Sequence, residues 1–311
     1  MQTILKGRIA PTPSGFLHIG NAFSFVLSWV LVKSQAGLLH LRIDDGDASR
    51  FRKEYLEDIF FTLDWLGLSP DSGASGSSDF LANYSQQQNQ DKFAQLGNQL
   101  IANGLAYPCT CSRKQVNERW ADGLHAANCQ SYIVGKEVAW RLGVSKEVIL
   151  VQDVENTYSV NLQTEMGDPV IRKKDRSWAY QICSLADDYA QDINFVVRGL
   201  DLLPSTALQL YASSLLANTS FKQKAENFES TRFLHHPLLL DDDGNKLSKS
   251  AGSTSVKELK KAGVKPAFIY RKVAEYLQIQ AKSDTLNNLL QASFESIMVQ
   301  KLSHLNQSSQ L

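Results

Sequence analysis

Residues 11–21 read PTPSGFLHIGN. They lie between a short apolar strand predicted at Lys6–Ala10 and an apolar helix predicted at Asn21–Ser34. The order strand, glycine-containing turn, helix is typical of the first unit of a parallel α/β sheet. A strand predicted at Leu38–Asp44 and an amphipathic helix predicted at Phe51–Leu66 continue this order. The N-terminal region therefore predicts an α/β fold built on a parallel sheet.

The residue types in this turn suit an anionic ligand. Ser14, Gly15 and Gly20 allow the backbone to approach a ligand closely, because glycine has no Cβ. The helix that begins near Asn21 offers the positive end of its dipole to a phosphate group. His18 can donate a hydrogen bond to a phosphate oxygen. A turn histidine alone is more often structural, so the surrounding strand and helix carry the prediction of a phosphate site.

A second segment, KLSKS at Lys246–Ser250, follows an Asp-Gly turn after a strand predicted at Phe233–Leu240. A site that holds several anionic groups must align them and neutralise their charge. Lys246, Ser248 and Lys249 carry two cations and a hydroxyl that can contact phosphate groups. The segment is commonplace by itself, and its position after a late strand favours a role beside the first turn.

Bulk composition excludes several classes of protein. The 311 residues are 43% hydrophobic, and Lys plus Arg equals Asp plus Glu at 32 each. Any contact with RNA would therefore need a local basic face. The sequence lacks the apolar core of a signal peptide and any apolar run near the roughly 20 residues that span a bilayer. Four cysteines are too few for a disulfide scaffold, so we expect a cytoplasmic protein that does not bind membranes.

The α/β alternation is interrupted before it resumes. Gly37 is predicted to stop the first helix, and residues 70–78, PDSGASGSS, have the composition of a flexible surface loop. Later elements are predicted at Asp91–Ala102, Val148–Val154, Ala179–Tyr189, Ile193–Arg198, Thr206–Ala217 and Phe233–Leu240. We expect a catalytic domain in two halves, residues 1–105 and 171–250, an insertion at 106–170 and a short helical C-terminal stub at 251–311.

Five segments in this order resemble class I aminoacyl-tRNA synthetases of the glutamyl/glutaminyl branch: Arg8–Asn21, Arg42–Asp47, Ala179–Asp188, Val196–Thr206 and Lys246–Ser250. The resemblance implies a Rossmann-like catalytic domain that uses ATP with Mg²⁺ and activates glutamate as glutamyl-adenylate. It also implies that His18 and Lys249 are catalytic, within an ATP site of Ser14, Gly15, His18, Gly20, Asn21, Lys246, Ser248 and Lys249.

The same resemblance implies a glutamate site formed by Arg8, Ala10, Thr12, Asp44, Tyr180 and Arg198. Arg8 and Arg198 would lie near carboxylates, because a guanidinium fork matches a planar carboxylate. Tyr180 would form a wall and donate a hydrogen bond, and Asp44 would face the α-ammonium group. The family usually has glutamate at position 44. Asp44 is shorter, so either the pocket closes up around the substrate, a water molecule bridges Asp44 and the α-ammonium group, or the substrate is a different amino acid. We expect the substrate to be glutamate.

Four potential metal ligands lie close together in the predicted insertion: Cys109, Cys111, His125 and Cys129. Three thiolates and one imidazole suit tetrahedral zinc, although the spacing alone leaves unpaired reduced thiols open. The segment resembles the zinc module of glutamyl-queuosine tRNA(Asp) synthetases, which often have tyrosine where His125 stands. Four protein ligands leave no open position, so a structural zinc ion is expected. Cys183 is expected to be a packed thiol.

Only 61 of the 311 residues follow Ser250. We expect this to be too few for the anticodon-binding region of a glutamyl-tRNA synthetase. The resemblance to the queuosine-modifying family implies that a monomer transfers glutamate to queuosine at the wobble position of tRNA(Asp). Lys114, Arg119 and Trp120 are candidate RNA contacts. Two alternatives remain open: a truncated synthetase that charges the 3′ end of tRNA(Glu), and a non-catalytic paralogue that binds ATP or an amino acid.

Overall fold

The computed structural model describes residues 4–120, 122–125, 129, 134–238, 255–279 and 283–296. Its strands are β1 Lys6–Ile9, β2 Leu38–Leu41, β3 Ser72–Gly73, β4 Ala106–Cys109, β5 Ala139–Leu142, β6 Val148–Gln152, β7 Thr157–Asn161, β8 Val170–Arg172, β9 Phe195–Gly199 and β10 Arg232–His236. Its α-helices are α1 Ile19–Lys33, α2 Lys53–Trp65, α3 Ser77–Asp79, α4 Gln90–Ala102, α5 Arg113–Arg119, α6 Leu162–Glu165, α7 Tyr180–Ala190, α8 Leu203–Leu216, α9 Lys222–Glu229, α10 Val256–Lys261 and α11 Ala267–Tyr276. Residues 286–296 are also helical.

A parallel five-stranded sheet in the order β10-β9-β1-β2-β3 forms the centre of the molecule. Strand β9 shows how the two faces of this sheet are covered, because successive side chains of a strand point to opposite faces. Phe195 and Val197 join a core with helices α1, α2 and α11, whereas Val196 joins a second core with α4, α7 and α8. Helices on both faces of a parallel sheet confirm the predicted α/β, Rossmann-like fold.

Strand β3 lies inside the segment whose composition predicted a flexible loop. Ser72 and Gly73 pair with His40 and Leu41 at the edge of the sheet. Gly73 has φ +101°, and a Cβ atom there would lie 2.1 Å from the Leu41 carbonyl oxygen. The glycine that favoured a loop by composition is therefore required for close pairing of two backbones.

The end of α1 also differs from its prediction. The helix ends at Lys33, and the residue with left-handed backbone is Ala36, at φ 52°, not Gly37. Gly37 is required for a different reason: a Cβ atom there would lie 2.7 Å from the carbonyl oxygen of Leu5. Close packing between the chain leaving α1 and the chain entering β1 therefore excludes a side chain.

The segment between α4 and α7 forms an antiparallel sheet, β4-β5-β8, and a β6-β7 hairpin. Asp153, just after β6, ties the hairpin to the central sheet. Its Oδ2 atom lies 2.6 Å from both the backbone nitrogen and Nδ1 of His235, and His235 Nε2 lies 2.7 Å from the Thr206 hydroxyl. Burial would raise the pKa of Asp153, but the hydrogen bonds from His235 hold it below its usual value.

The predicted C-terminal helices are present at α10, α11 and residues 286–296. Tyr270 and Val273 of α11 pack in the core that also contains α1 and α2, and the Tyr270 hydroxyl donates to the Leu66 carbonyl oxygen at 3.0 Å. No helix among the described residues is long and apolar enough to cross a membrane.

Replacement of Gly97 by alanine tests the packing beneath helix α7. A Cβ atom at Gly97 would lie 2.0 Å from Cζ3 of the buried Trp178 indole. We expect Gly97→Ala to lower the free energy of unfolding by about 1–3 kcal/mol, because the rigid indole must move. Gly76→Ala is the matched control, since nothing lies within 4 Å of its Cβ position. Denaturant unfolding measures both, and equal stability of the two variants would contradict this packing.

Candidate active site and metal centre

A cavity of about 480 Å³ opens at the carboxyl ends of β1, β9 and β10, where open α/β sheets bind ligands. Nine residues predicted from the sequence line it: Arg8, Ala10, Thr12, Ser14, His18, Gly20, Asn21, Tyr180 and Arg198. Gly15 and Asp44 are not among its lining residues. Lys246, Ser248 and Lys249 lie outside the described residues. The tertiary structure thus brings together two groups that are about 170 residues apart in the sequence.

The described residues on both sides of the lysine-containing segment also border this cavity. Leu238, which precedes the segment, lines the cavity. Ser255, which follows it, forms an antiparallel bridge with His18, and the Val256 backbone nitrogen donates to the Leu17 carbonyl oxygen at 2.9 Å. The chain therefore leaves and rejoins the described structure at the predicted ATP site.

His18 is the N-cap of helix α1. Its Nδ1 atom accepts a hydrogen bond from the Gly20 backbone nitrogen at 3.1 Å, and its own backbone nitrogen donates to Asn21 Oδ1 at 3.0 Å. In a neutral imidazole whose Nδ1 accepts, the proton is on Nε2. Nε2–H and the N-terminus of α1 are therefore both donors suited to an anion in the cavity.

Arg198 is a buried cation in the cavity wall, with 4% of its surface exposed. Nη1 and Nη2 donate to Gln209 Oε1 at 3.2 and 3.1 Å, and Nε has no hydrogen-bond partner among the residues that the structure describes. Within the described parts of the chain, no carboxylate forms an ion pair with this guanidinium. Burial lowers the pKa of Arg198 to about 10, so it remains charged at neutral pH. An unpaired buried charge favours the binding of an anion.

Arg8 lies beside Arg198 in the wall and is held from behind. Its Nε atom donates to Asp188 Oδ1 at 3.0 Å, and Arg42 Nη1 donates to the same oxygen at 2.6 Å. Burial would raise the pKa of Asp188, but the charges of Arg8, Arg42 and Arg198 hold it below its usual value. Asp188 holds Nε, and within the described part of the chain no hydrogen bond engages the terminal nitrogen atoms of Arg8.

The carboxylate of Asp44 binds a neighbouring arginine. Oδ1 accepts from Arg42 Nε at 2.7 Å and from Gln86 Nε2 at 3.2 Å, and Oδ2 accepts from Arg42 Nη2 at 3.1 Å. Burial raises the pKa of Asp44 despite this pairing. Its contact with an α-ammonium group stays a prediction.

Sequence reasoning missed four polar residues that line the cavity: Ser24, Ser28, Asp201 and His236. His236, at the end of β10, places Nε2 2.5 Å from the Ser24 hydroxyl of α1, and Asp201 contributes a carboxylate. His236 was detectable as the polar end of an apolar strand, and Asp201 as the acid after the Val-Arg-Gly segment. Nothing in the sequence signals that Ser24 meets a residue 212 positions away.

The predicted metal ligands converge in the insertion. The ligand atoms of Cys109, Cys111, His125 and Cys129 all lie within 4.8 Å of one another. Cys109 Sγ is 3.1 Å from His125 Nε2, and Cys111 Sγ is 3.6 Å from Cys129 Sγ. A tetrahedral zinc ion with bonds of about 2.0–2.3 Å spaces its ligands by roughly 3.5–3.8 Å. The Cys111–Cys129 spacing is within this range and the Cys109–His125 spacing is shorter, so the donor set and its convergence fit a structural zinc site after small side-chain shifts.

The electrostatics of His125 suit a metal ligand too. Burial lowers its pKa to about 4, and the charges of Arg141 and Arg119 act in the same direction. The imidazole is therefore neutral at physiological pH, which is the form that binds zinc. Cys183, 3% exposed on α7, lies apart from this cluster.

Gly20→Ala tests the arrangement around His18. A Cβ atom at Gly20 would lie 2.9 Å from His18 Cε1, so the imidazole must move. We expect ATP affinity to fall about tenfold through loss of one aligned donor, while the free energy of unfolding changes by less than about 1 kcal/mol. Gly143→Ala is the control, because its nearest neighbour is an ordinary 3.7 Å away. Calorimetry measures affinity, and unchanged ATP binding in Gly20→Ala would contradict the arrangement.

Comparison with known proteins agrees with this geometry. Residues 4–306 match the family of class I tRNA synthetases (E and Q), catalytic domain. The glutamyl-Q tRNA(Asp) synthetase of Burkholderia cenocepacia (strain HI2424) is 35% identical over 267 residues, which are 81% of this chain and 82% of that protein. The protein of the same name from Pseudomonas putida (strain F1) is 38% identical over 246 residues, 78% of this chain and 75% of that one.

A solved glutamate tRNA ligase from Elizabethkingia meningosepticum CCUG26117 has the same fold, with a TM-score of 0.72 at 22% identity. The match covers 93% of this chain but only 64% of that ligase. The family match and the relatives above 30% identity extend over most of the chain. The chain therefore belongs to the catalytic-domain family of class I glutamyl and glutaminyl tRNA synthetases.

Proposed function

We propose that this protein is a ligase that activates glutamate with ATP and transfers it to queuosine in tRNA(Asp). The observation that carries the activation step is Arg198, a buried cation without a carboxylate partner among the described residues, in the wall of a cavity that also contains His18. The queuosine acceptor is supported by relatives at 35% and 38% identity, which are named glutamyl-Q tRNA(Asp) synthetases.

The positive charges in the cavity wall support glutamate as the amino acid that binds there. Glutamate brings two carboxylates, and Arg8 and Arg198 present guanidinium groups on the same wall. Tyr180, at the first turn of α7, is 39% exposed and closes one side. Ala10 and Thr12, after β1, line the cavity next to Arg8 and leave space for the substrate backbone.

Activation requires in-line attack by the α-carboxylate of glutamate on the α-phosphorus of ATP. An oxygen–phosphorus bond forms to give glutamyl-adenylate, and the bond to pyrophosphate breaks. His18 Nε2–H and the N-terminus of α1 stabilise the phosphate charge. Lys249, with Lys246 and Ser248, would bind the leaving pyrophosphate. ATP would enter with Mg²⁺, which neutralises part of the phosphate charge.

Transfer follows when a hydroxyl of the queuosine cyclopentenediol attacks the carbonyl carbon of glutamyl-adenylate. An ester bond forms as the bond between the carbonyl carbon and the phosphate oxygen breaks, and the hydroxyl proton passes to the phosphate of the departing AMP. RNA-contact candidates lie in the insertion: Arg119 stacks over Trp120 at 5.4 Å, and Lys114 is exposed beside Glu118. We propose a cytoplasmic monomer whose domains follow the predicted boundaries.

The arginine fork predicts a defect confined to glutamate. Arg198→Lys keeps the positive charge but loses planar, two-nitrogen recognition, so we expect the KM for glutamate to rise by roughly 10- to 100-fold. The KM for ATP should change little. Arg232→Lys is the matched control, because Arg232 lies on the adjacent strand, is exposed and is not in the cavity. Amino-acid-dependent ATP–pyrophosphate exchange measures each KM, and an unchanged glutamate KM in Arg198→Lys would exclude this role.

The acceptor is tested by finding which nucleoside carries radioactive glutamate. Labelled tRNA is digested with nuclease and its nucleosides are separated. We expect the label on queuosine of tRNA(Asp), and none on tRNA from a strain that cannot make queuosine. Label on the terminal adenosine of tRNA(Glu) would establish the truncated-synthetase alternative. Absence of ATP–pyrophosphate exchange, both with and without tRNA, would favour the non-catalytic paralogue.

A further inference from the structure

The imidazole of His125 is held at both of its nitrogen atoms. Nε2 faces Cys109 Sγ at 3.1 Å, inside the cluster of metal ligands. On the opposite side of the ring, Nδ1 lies 3.1 Å from the hydroxyl of Tyr107. That hydroxyl donates to Asp168 Oδ2 at 2.5 Å. Asp168, Tyr107 and His125 therefore form a continuous chain of hydrogen bonds that ends at the metal site.

The direction of these hydrogen bonds determines where the imidazole proton lies. A carboxylate only accepts hydrogen bonds, so the single hydroxyl proton of Tyr107 points to Asp168. The hydroxyl oxygen can then only accept from His125, which requires a proton on Nδ1. A neutral imidazole with its proton on Nδ1 has a free lone pair on Nε2, the atom that faces the cysteines.

Asp168 is itself fixed to the insertion. Its side chain is buried, and Oδ1 accepts from the Val144 backbone nitrogen at 3.0 Å. Its backbone nitrogen donates to the His125 carbonyl oxygen at 2.7 Å. Its carbonyl oxygen accepts from Arg141 Nη1, also at 2.7 Å. The backbone of Asp168 is thus joined to His125 and to Arg141 of β5, and its carboxylate cannot turn away without breaking the hydrogen bond from Val144.

Gly167 makes this close approach feasible. It has φ +59°, and a Cβ atom there would lie 2.7 Å from both the backbone nitrogen and the carbonyl oxygen of His125. On the other side, the Trp120 ring packs against the imidazole with centroids 4.7 Å apart. The ring of His125 is therefore restrained in position as well as in hydrogen bonding.

We propose that Tyr107 and Asp168 are positioning residues for zinc, which hold His125 in the tautomer whose Nε2 lone pair can bind the metal. Outer-shell partners of this kind orient a histidine ligand and raise its basicity. Metal binding at this cluster is measurable without glutamate, ATP or tRNA, so the outcome does not depend on the enzymatic activity.

The first test removes only the hydroxyl. Purified wild-type protein should contain about one zinc ion per chain. Tyr107→Phe should weaken zinc binding by about 10- to 100-fold in competition with a chromophoric chelator. Tyr84→Phe, an exposed tyrosine outside the metal cluster, is the control and should bind zinc as wild type does. Wild-type affinity in Tyr107→Phe would overturn the proposal.

A second test separates tautomer selection from packing. A thiolate has no tautomers, so in a His125→Cys background the change Tyr107→Phe should alter zinc affinity by less than about twofold. An equal loss of affinity in both backgrounds would show that Tyr107 acts by packing alone and would overturn the proposal.

A third measurement uses the unmodified, zinc-loaded protein and needs no variant to fold. Nitrogen-15 NMR of the histidine rings distinguishes a protonated from a metal-bound nitrogen. The spectrum of His125 should show a proton on Nδ1 and zinc on Nε2. Zinc on Nδ1, or a proton on Nε2, would overturn the assignment.

Discussion

The active-site end of the sheet depends on the hydrogen bonds that the carboxylate of Asp188 accepts. One oxygen atom accepts hydrogen bonds from Arg8, on β1, and from Arg42, just after β2. Asp188 lies on helix α7, which follows the insertion in the sequence. It therefore joins two parallel strands of the sheet to this helix. Loss of one partner from a buried ion pair typically costs about 3–5 kcal/mol. Without Asp188, Arg8 would lose its carboxylate partner, whereas Arg42 would keep Asp44.

The charges in the cavity wall are arranged in two layers. The charges of the inner layer are paired within the protein, because Asp44 pairs with Arg42 and Asp188 pairs with both Arg8 and Arg42. The outer layer contains Arg198, whose hydrogen bonds within the described residues go to the neutral amide of Gln209. A substrate carboxylate therefore meets a preorganised cation whose neighbours are already neutralised, and little reorganisation accompanies binding.

The insertion is connected to this site by polar contacts that reach the central sheet. Asp153 binds His235 on β10, and the next residue, His236, binds Ser24 of α1 in the cavity wall. The metal cluster lies at the other end of the insertion, where Asp168 and Tyr107 restrain His125. Both ends are thus specified by buried hydrogen bonds, which require one geometry, whereas apolar contacts tolerate several.

Local sequence patterns determined the α/β alternation of the two catalytic halves and the residue types at its strand ends, because periodicity and turn chemistry act over a few residues. They did not indicate the antiparallel sheet β4-β5-β8 or helix α9. They predicted a flexible loop at residues 70–78, where Gly73 instead allows β3 to pair with β2. Only the tertiary structure decided that Arg8 meets Asp188, 180 positions away, and that Tyr107 meets Asp168, 61 positions away. Such pairings depend on how elements that are distant in the sequence pack against one another. The residues adjacent to each partner in the sequence do not indicate them.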